Sequence, residues 1–159
     1  MGKTVERILK LGKETLTYKD QITDVDRFDV TTLGEAIYET LHLTFKGFSE
    51  RTPALSLKIR YYAEEVMELG ETVKRRFIRR LHEDGRARIG STLYTEICYV
   101  EEQLIDDCDK VADALLRHGK QIDKSDLPKD VTEEQQQAET RESFRAKYEK
   151  LEKEPDKAE

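Results

Sequence analysis

Four carboxylates recur at helical spacing in one stretch of the sequence: Glu102, Asp106, Asp109 and Asp113. At about 100° per residue they fall in one column, on the face opposite the apolar residues of the same stretch. Like charges one helical turn apart repel each other by about 0.2–0.5 kcal/mol per pair. A cation that neutralises the column is therefore the chemistry that this spacing favours.

A second column of acids, at Glu64 and Glu68, is followed by a basic run from Lys74 to Arg80 that is placed to pair with acids of a neighbouring helix. Three interpretations of the two columns stay open: a solvated face with surface ion pairs, a metal site, or a contact surface for a basic partner. Oxygen ligands of this kind suit iron or a divalent cation. The candidate metal ligands are Glu102, Asp106, Asp109, Asp113, Glu64 and Glu68.

One enzymatic pattern is present. The segment Glu64-Glu65-Val66-Met67-Glu68 is similar to the EExxE signature of all-α nucleotide pyrophosphohydrolases, and residues 110–116 faintly resemble the acidic motif that follows it in that family. Together they could hold Mg²⁺ against a triphosphate. The helical spacing, however, predicts that these acids face away from the core. The sequence contains no Gly-rich phosphate loop, nucleophile elbow or HExxH motif. We therefore expect a protein that is not an enzyme. The alternatives are the metal-dependent pyrophosphohydrolase and a helical adaptor without a ligand.

These acids need helices to position them, and the apolar residues predict such helices by their intervals of three and four. Residues 4–18 form a moderate helical pattern, and the polar segment 20–29 is predicted to be a connection. The sequence Thr32-Leu33-Gly34-Glu35 has the form of a capping box and predicts a helix start. The helix that follows is predicted to reach about Ser49 and to bury Leu33, Ile37, Leu41, Thr44 or Phe45, and Phe48.

Two longer helices are predicted next. Thr52 and Pro53 form a stop-and-restart signal, after which the second long helix extends to about Leu81. It is predicted to bury Leu55, Ile59, Tyr62, Val66, Leu69, Val73, Phe77 and Leu81. The third long helix covers about residues 89–118, and its predicted core stripe is Ile89, Leu93, Ile97, Val100, Leu104, Cys108, Val111 and Leu115.

The C-terminal part of the sequence predicts a polar linker and then a weakly amphipathic segment over residues 132–154. Its only apolar anchors are Phe144, Tyr148 and Leu151. Short connections between the long helices favour antiparallel neighbours. The predicted fold is an all-α, elongated antiparallel bundle of three to four helices with a short C-terminal helix. The predicted division is 1–29, an N-terminal helix and connection; 30–119, a three-helix bundle; and 120–159, a linker and weakly docked C-terminal helix.

Composition narrows the function classes. The 159 residues carry a net charge of −6, and charged residues make up 39% of the chain. An acidic chain lacks the basic footprint of a nucleic-acid binder, so no nucleic-acid partner is expected. No stretch approaches the roughly 18 apolar residues of a membrane span, so we expect no membrane insertion of this chain. Cys98 and Cys108 are ten residues apart on one predicted helix, too far for a disulfide, and reduced thiols favour a cytoplasmic location.

Residues 54–118, taken together, resemble a PhoU-like repeat and more specifically the cytosolic C-terminal domain of bacterial and archaeal sodium/phosphate cotransporters. The segments 64–69 and 71–81 are similar to that family's second helix, and Val100-Glu-Glu102-Gln-Leu-Ile-Asp106-Asp-Cys108 is similar to its third. Upstream, residues 35–48 fit the first helix of such a repeat. Residues 143–148 look like the short helical tail of those transporters.

The resemblance implies a regulatory or interaction domain of phosphate transport or phosphate homeostasis. Its expected partner is a phosphate transporter or a phosphate-sensing protein, and a homo-oligomer stays open. Some members bind metal clusters through E/D-x-x-x-D pairs, and Glu102 and Asp106 match the third-helix pair. Asp107 stands where the family usually has His, and Met67 where a second-helix Asp is expected.

Overall fold

Four helices account for nearly all of the residues that the computed structural model describes, which are 6–7, 10–11, 13, 23–84, 89–118 and 133–148. They are α1 (Asp24–Glu50), α2 (Pro53–Asp84), α3 (Ile89–His118) and α4 (Glu133–Tyr148). Within these residues there is no strand, and the helices pack against one another. The predicted all-α helical bundle is therefore confirmed. Among the described residues, none of the helices is both long and apolar enough to cross a membrane.

Helix α1 begins earlier than the sequence predicts. The capping box at Thr32 and Glu35 is not the helix start, because α1 already begins at Asp24 and runs through the predicted boundary after residue 29. Its N-cap is Thr23, whose hydroxyl accepts a hydrogen bond from the Asp26 amide at 3.1 Å. The acids in the first turn also interact favourably with the positive end of the helix dipole. The predicted connection is thus wrong over residues 24–29.

The junction between α1 and α2 matches the predicted stop and restart. Helix α1 ends at Glu50, and Arg51 adopts a left-handed conformation with φ 49°, from which its amide donates to the Gly47 carbonyl. Helix α2 then begins at Pro53, whose fixed φ suits a first helical position. Only two residues separate the helices, so they form an antiparallel hairpin.

The inner face of α1 is built from small residues, and this corrects part of the predicted core. Ala36, Thr40, Thr44 and Gly47 are buried there together with Leu33 and Ile37. The Thr40 and Thr44 hydroxyls donate to backbone carbonyls one turn earlier, so both are satisfied inside the core. At Gly47 a Cβ would lie 2.7 Å from Ile59 Cδ1, which shows how closely α2 approaches. Of the alternatives Thr44 and Phe45, Thr44 is the buried one and Phe45 is exposed; Phe48, predicted to be buried, is exposed as well.

Helix α2 lies at the centre of the bundle, in contact with α1, α3 and α4. Its predicted stripe is confirmed. Five members are buried, namely Ile59, Tyr62, Val66, Val73 and Phe77. The three leucines of the stripe are partly buried, namely Leu55, Leu69 and Leu81. Phe77 stacks on Tyr94 of α3 with ring centroids 3.8 Å apart. On α3, the predicted Val100, Leu104 and Cys108 are buried as well. The side chains of Ile89 and Leu93 lie outside the described part.

The two ends of the chain also contact the bundle. Phe144 and Tyr148 of α4 are buried in the main core, as predicted for two of its three anchors, while Leu151 lies outside the described residues. Of the predicted N-terminal helix, residues 6, 7, 10, 11 and 13 are described and helical. Leu11 packs against Val100 of α3 in a small second cluster. Both cysteines are buried and free, which confirms that no disulfide joins them.

A buried ionic network joins the start of α1 to the end of α2. Arg80 donates to Asp26 Oδ1 at 3.0 Å and to Asp29 Oδ2 at 2.8 Å, and Arg76 Nε donates to Asp29 Oδ2 at 3.2 Å. All four side chains are nearly inaccessible to solvent. The prediction that the basic end of α2 pairs with acids of a neighbouring helix holds here, although the acids lie in the segment predicted to be a connection.

We expect Asp29→Ala to lower the free energy of unfolding by about 3–5 kcal/mol, because it leaves a guanidinium buried without its full complement of charge. Urea denaturation followed by circular dichroism measures this change. Asp24→Ala is the matched control, since Asp24 also lies in the first turn of α1, but its side chain is exposed and pairs with the exposed Arg27 of the same helix. The control should shift stability by less than about 1 kcal/mol. Equal effects of the two substitutions would contradict the structural role of the network.

Candidate functional site

Three acids of the α3 column form ion pairs with cations of this chain. Glu102 pairs with Lys74 across the α2–α3 interface. Asp106 pairs with Lys110 one turn along the same helix. Asp113 lies 3.1 Å from Arg117, again one turn along. Only Asp106 of the column is exposed, while Glu102, Asp109 and Asp113 are half-buried. The column therefore lies on the flank of α3 beside α2, not on the face opposite the core as predicted.

The two columns approach each other at Asp109 and Glu64. Burial raises the pKa of Asp109, the nearby carboxylate of Asp113 raises it further, and Glu64 contributes in the same direction across the helix interface. Arg60 opposes this shift, and its Nε lies 3.8 Å from Glu64. The structure thus brings one candidate ligand from each column, Asp109 and Glu64, near the same guanidinium.

The remaining candidate, Glu68, is exposed and lies at the edge of a groove between α2 and α4. Within the described part of the chain, no three His, Cys, Asp or Glu side chains are arranged to hold a metal ion. Metal ligation by Glu102 and Asp106 stays a prediction, and a bound cation would have to compete with Lys74 and Lys110 for them.

One acid of the EExxE segment is buried, although the sequence predicted that all of these acids face away from the core. Glu65 is only 3% exposed because α4 covers it. Arg141 Nε lies 2.7 Å from Glu65 Oε1, and Arg145 Nε lies 3.9 Å from Oε2. Arg141 also reaches Glu64 at 3.9 Å. The central acid of the pattern is thus engaged in ion pairs with α4.

A second acid, Glu39 of α1, anchors the other end of α4. It accepts a hydrogen bond from the Tyr148 hydroxyl at 3.2 Å, and the Tyr62 hydroxyl and the Lys147 ammonium also contact it. Burial raises the pKa of Tyr62, and Tyr148 adds to the effect. Sequence reasoning did not identify Glu39, because nothing in its local spacing distinguishes it from other surface acids of α1.

A third acid, Glu101, is half-buried between α1, α2 and α3, at the edge of the core. It occupies the stripe Tyr94, Cys98, Glu101, Ile105, Cys108 and Ala112, at intervals of four and three. A Cβ at Gly34 would lie 3.9 Å from its Oε1, and its Oε2 is buried without a hydrogen-bond partner among the described residues. Burial raises the pKa of Glu101 to about 8. The sequence signal was available, since this stripe runs beside the predicted one.

Comparison with known proteins gives no relative. No protein-family model, curated protein or solved structure matches this chain.

We expect Glu101→Gln to be more stable than the wild type at alkaline pH. The carboxyl titrates near 4.5 in the unfolded chain and at about 8 when folded, so between these values the folded state holds the extra proton. Its free energy of unfolding consequently falls as the pH rises through this window. At pH 9 the amide should be more stable by about 1–3 kcal/mol, and near pH 3.5 the difference should vanish.

Urea denaturation at pH 3.5, 6.5 and 9 checks this. Asp106→Asn is the control, because Asp106 is exposed and its pair with Lys110 stays within one helix. Its effect should remain below about 1 kcal/mol at each pH. Parallel stability profiles of Glu101→Gln and the wild type would contradict a buried, unpartnered carboxyl.

Proposed function

We propose that this chain is a PhoU-like regulatory domain of phosphate transport or phosphate homeostasis. It acts in the cytoplasm, without catalysis, by contacting a phosphate transporter or a phosphate-sensing protein. The observation that carries the interaction role is an aromatic stripe on the outer face of α1, formed by Tyr38, Phe45 and Phe48. These side chains are 70%, 64% and 48% exposed.

The aromatic stripe is continuous along α1. Tyr38 and Phe45 are seven residues apart, so they lie on one face of the helix, two turns apart. Leu41, which is partly buried, follows Tyr38 by three residues, and Phe48 follows Phe45 by three. The stripe adjoins the face that buries Thr40 and Thr44, because Phe48 follows Thr44 by four residues, and it extends from there to the more exposed Phe45 and Tyr38. Aromatic residues are enriched at protein interfaces, and contiguous exposed apolar patches commonly mark interaction sites.

The phosphate role depends on the resemblance of α2 and α3 to the transporter domain. The two segments that carry the resemblance are neighbours in the bundle, as Lys74 pairs with Glu102 and Phe77 stacks on Tyr94. Both pairs join the end of α2 to the first half of α3, so the helices are antiparallel, as the resemblance implies. The order of helices supports the proposal in the same way, since α1 precedes this pair and α4 follows it.

A non-enzymatic role is supported by the state of the EExxE segment. Catalysis by a pyrophosphohydrolase would need Glu65 to hold Mg²⁺ against a triphosphate. In the structure Glu65 is buried beneath α4 and is ion-paired with Arg141. Docked in this way, α4 stands between that carboxylate and any nucleotide.

We expect Phe45→Glu to weaken the partner contact about tenfold or more, because truncated aromatic anchors of an interface commonly cost over 1 kcal/mol each. The test is affinity purification of the tagged chain from phosphate-starved source cells, with transporter and sensor components quantified by mass spectrometry. Ile78→Glu is the matched control, since Ile78 is 52% exposed on another helix and should leave the contact unchanged.

Phosphate uptake provides the second readout. Deleting the gene should change the uptake rate at least about twofold, and Phe45→Glu should reproduce that change while Ile78→Glu does not. Unchanged uptake, together with no transporter or sensor component in the purification, would overturn the proposal. Pyrophosphate release from nucleotides that is lost in Glu65→Gln would replace it with the pyrophosphohydrolase.

A further inference from the structure

Helix α4 lies in a groove that is bounded by two acids and centred on an aromatic ring. Glu65 of α2 faces Arg141 and Arg145 at one end, at 2.7 and 3.9 Å, and Glu39 of α1 meets Tyr148 at the other. We call this surface, defined by Glu39, Tyr62 and Glu65, the acidic–aromatic groove.

The aromatic part of the contact is specific in geometry. Phe144 meets the Tyr62 ring edge-on, with centroids 5.1 Å apart and an interplanar angle of 81°. Tyr148 packs against Phe144 at 4.7 Å. Both α4 rings are buried, with Thr140 as the other buried side chain among the described residues of this helix. Few side chains therefore hold α4 in place.

The anchoring positions of α4 follow the pattern of a helix bound in a groove. Arg141, Phe144, Arg145 and Tyr148 stand at positions i, i+3, i+4 and i+7, which share one helical face. Helices recognised by hydrophobic grooves present their anchors at these positions. The groove supplies an acid opposite the two arginines and an aromatic ring opposite Phe144, so it matches this face in charge as well as in shape.

The fit of α4 leaves part of the groove unsatisfied. Glu65 Oε1 is buried and lies within ion-pair distance of Arg141, yet it accepts no hydrogen bond from any described residue. A buried carboxylate gains most when a donor is aligned with it. A helix that places its guanidinium in line with Glu65 would therefore add a hydrogen bond that α4 does not make.

We propose that the acidic–aromatic groove is a helix-recognition site, that α4 occupies it as an intramolecular ligand, and that a basic, aromatic amphipathic helix of a partner protein displaces α4. The partner helix carries arginine at two positions and aromatic residues at two more, in the pattern Arg-x-x-Phe-Arg-x-x-Tyr. This inference does not depend on the proposed phosphate role.

The experiment uses the full chain and a fluorescein-labelled peptide of residues 133–148. In the variant Phe144→Ser/Tyr148→Ser the chain keeps its groove but loses the two rings that hold α4. We expect saturable binding of the peptide to this variant by fluorescence anisotropy, and binding at least about tenfold weaker to the wild type, whose groove is occupied.

Neutralising or reversing the charge of Glu65 tests whether this acid recognises the arginines of the peptide. Adding Glu65→Gln to the variant should weaken peptide binding about tenfold or more, because an arginine then meets no buried charge. Adding Glu68→Gln is the matched control, since this neighbouring acid is exposed and lies at the groove edge. A peptide carrying Arg141→Glu should not bind the Phe144→Ser/Tyr148→Ser variant. The same peptide should bind when Glu65→Arg is added to that variant, because the two charges are then exchanged.

Two results would overturn the inference: no saturable binding to a variant that still melts cooperatively, or equal binding with and without Glu65→Gln. If Phe144→Ser/Tyr148→Ser fails to fold, the same binding measurements are made on Arg141→Glu/Arg145→Glu in the full chain, which releases α4 without changing a core residue. Size-exclusion chromatography of the wild type at the concentrations used should give a monomer. A dimer that disappears in Arg141→Glu/Arg145→Glu would show that a second copy supplies the helix, and would overturn the choice of a foreign partner.

Discussion

The pairing of Asp26 and Asp29 with Arg76 and Arg80 is the interaction on which the rest of the bundle depends. It sets where the start of α1 meets the end of α2, with both carboxylates and both guanidinium groups out of contact with water. Sliding α1 by one turn would leave these charges buried without partners, which costs several kcal/mol. The small residues farther along α1 then meet α2 in one register, with Gly47 against Ile59.

Much of the fold was predictable because apolar periodicity is a local property. The bounds of α2 and α3, the buried stripes on both, and the anchoring of α4 by Phe144 and Tyr148 all follow from intervals of three and four. The start of α1 did not follow. Asp26 and Asp29 read as part of a polar connection because the arginines that bury them lie about fifty residues away in the sequence, at separations of 47 to 54.

The candidate site was less predictable for the same reason. Spacing predicted that the acids of α3 lie opposite the core, but they lie on the flank beside α2, where Glu102 pairs with Lys74. It could not show that Glu65 lies under α4 or that Glu39 meets Tyr148, since both depend on where a distant helix docks. Phe48 was misassigned to the core because it follows the buried Thr44 by four residues, although its side chain is exposed at the edge of that face.

The direction of α4 has a consequence for how it competes with other helices. Gln136 near its start donates to the Ala54 carbonyl at the start of α2, and Leu115 near the end of α3 lies close to Gly47 at that same end of the bundle. The 14 residues from 119 to 132 therefore join two points at one end of the molecule. A displaced α4 stays tethered beside its groove, so its effective concentration there remains high. A partner helix competes with this high local concentration of α4, so it displaces α4 only if it binds more tightly or is present at a higher concentration. Below that affinity or concentration, α4 remains bound.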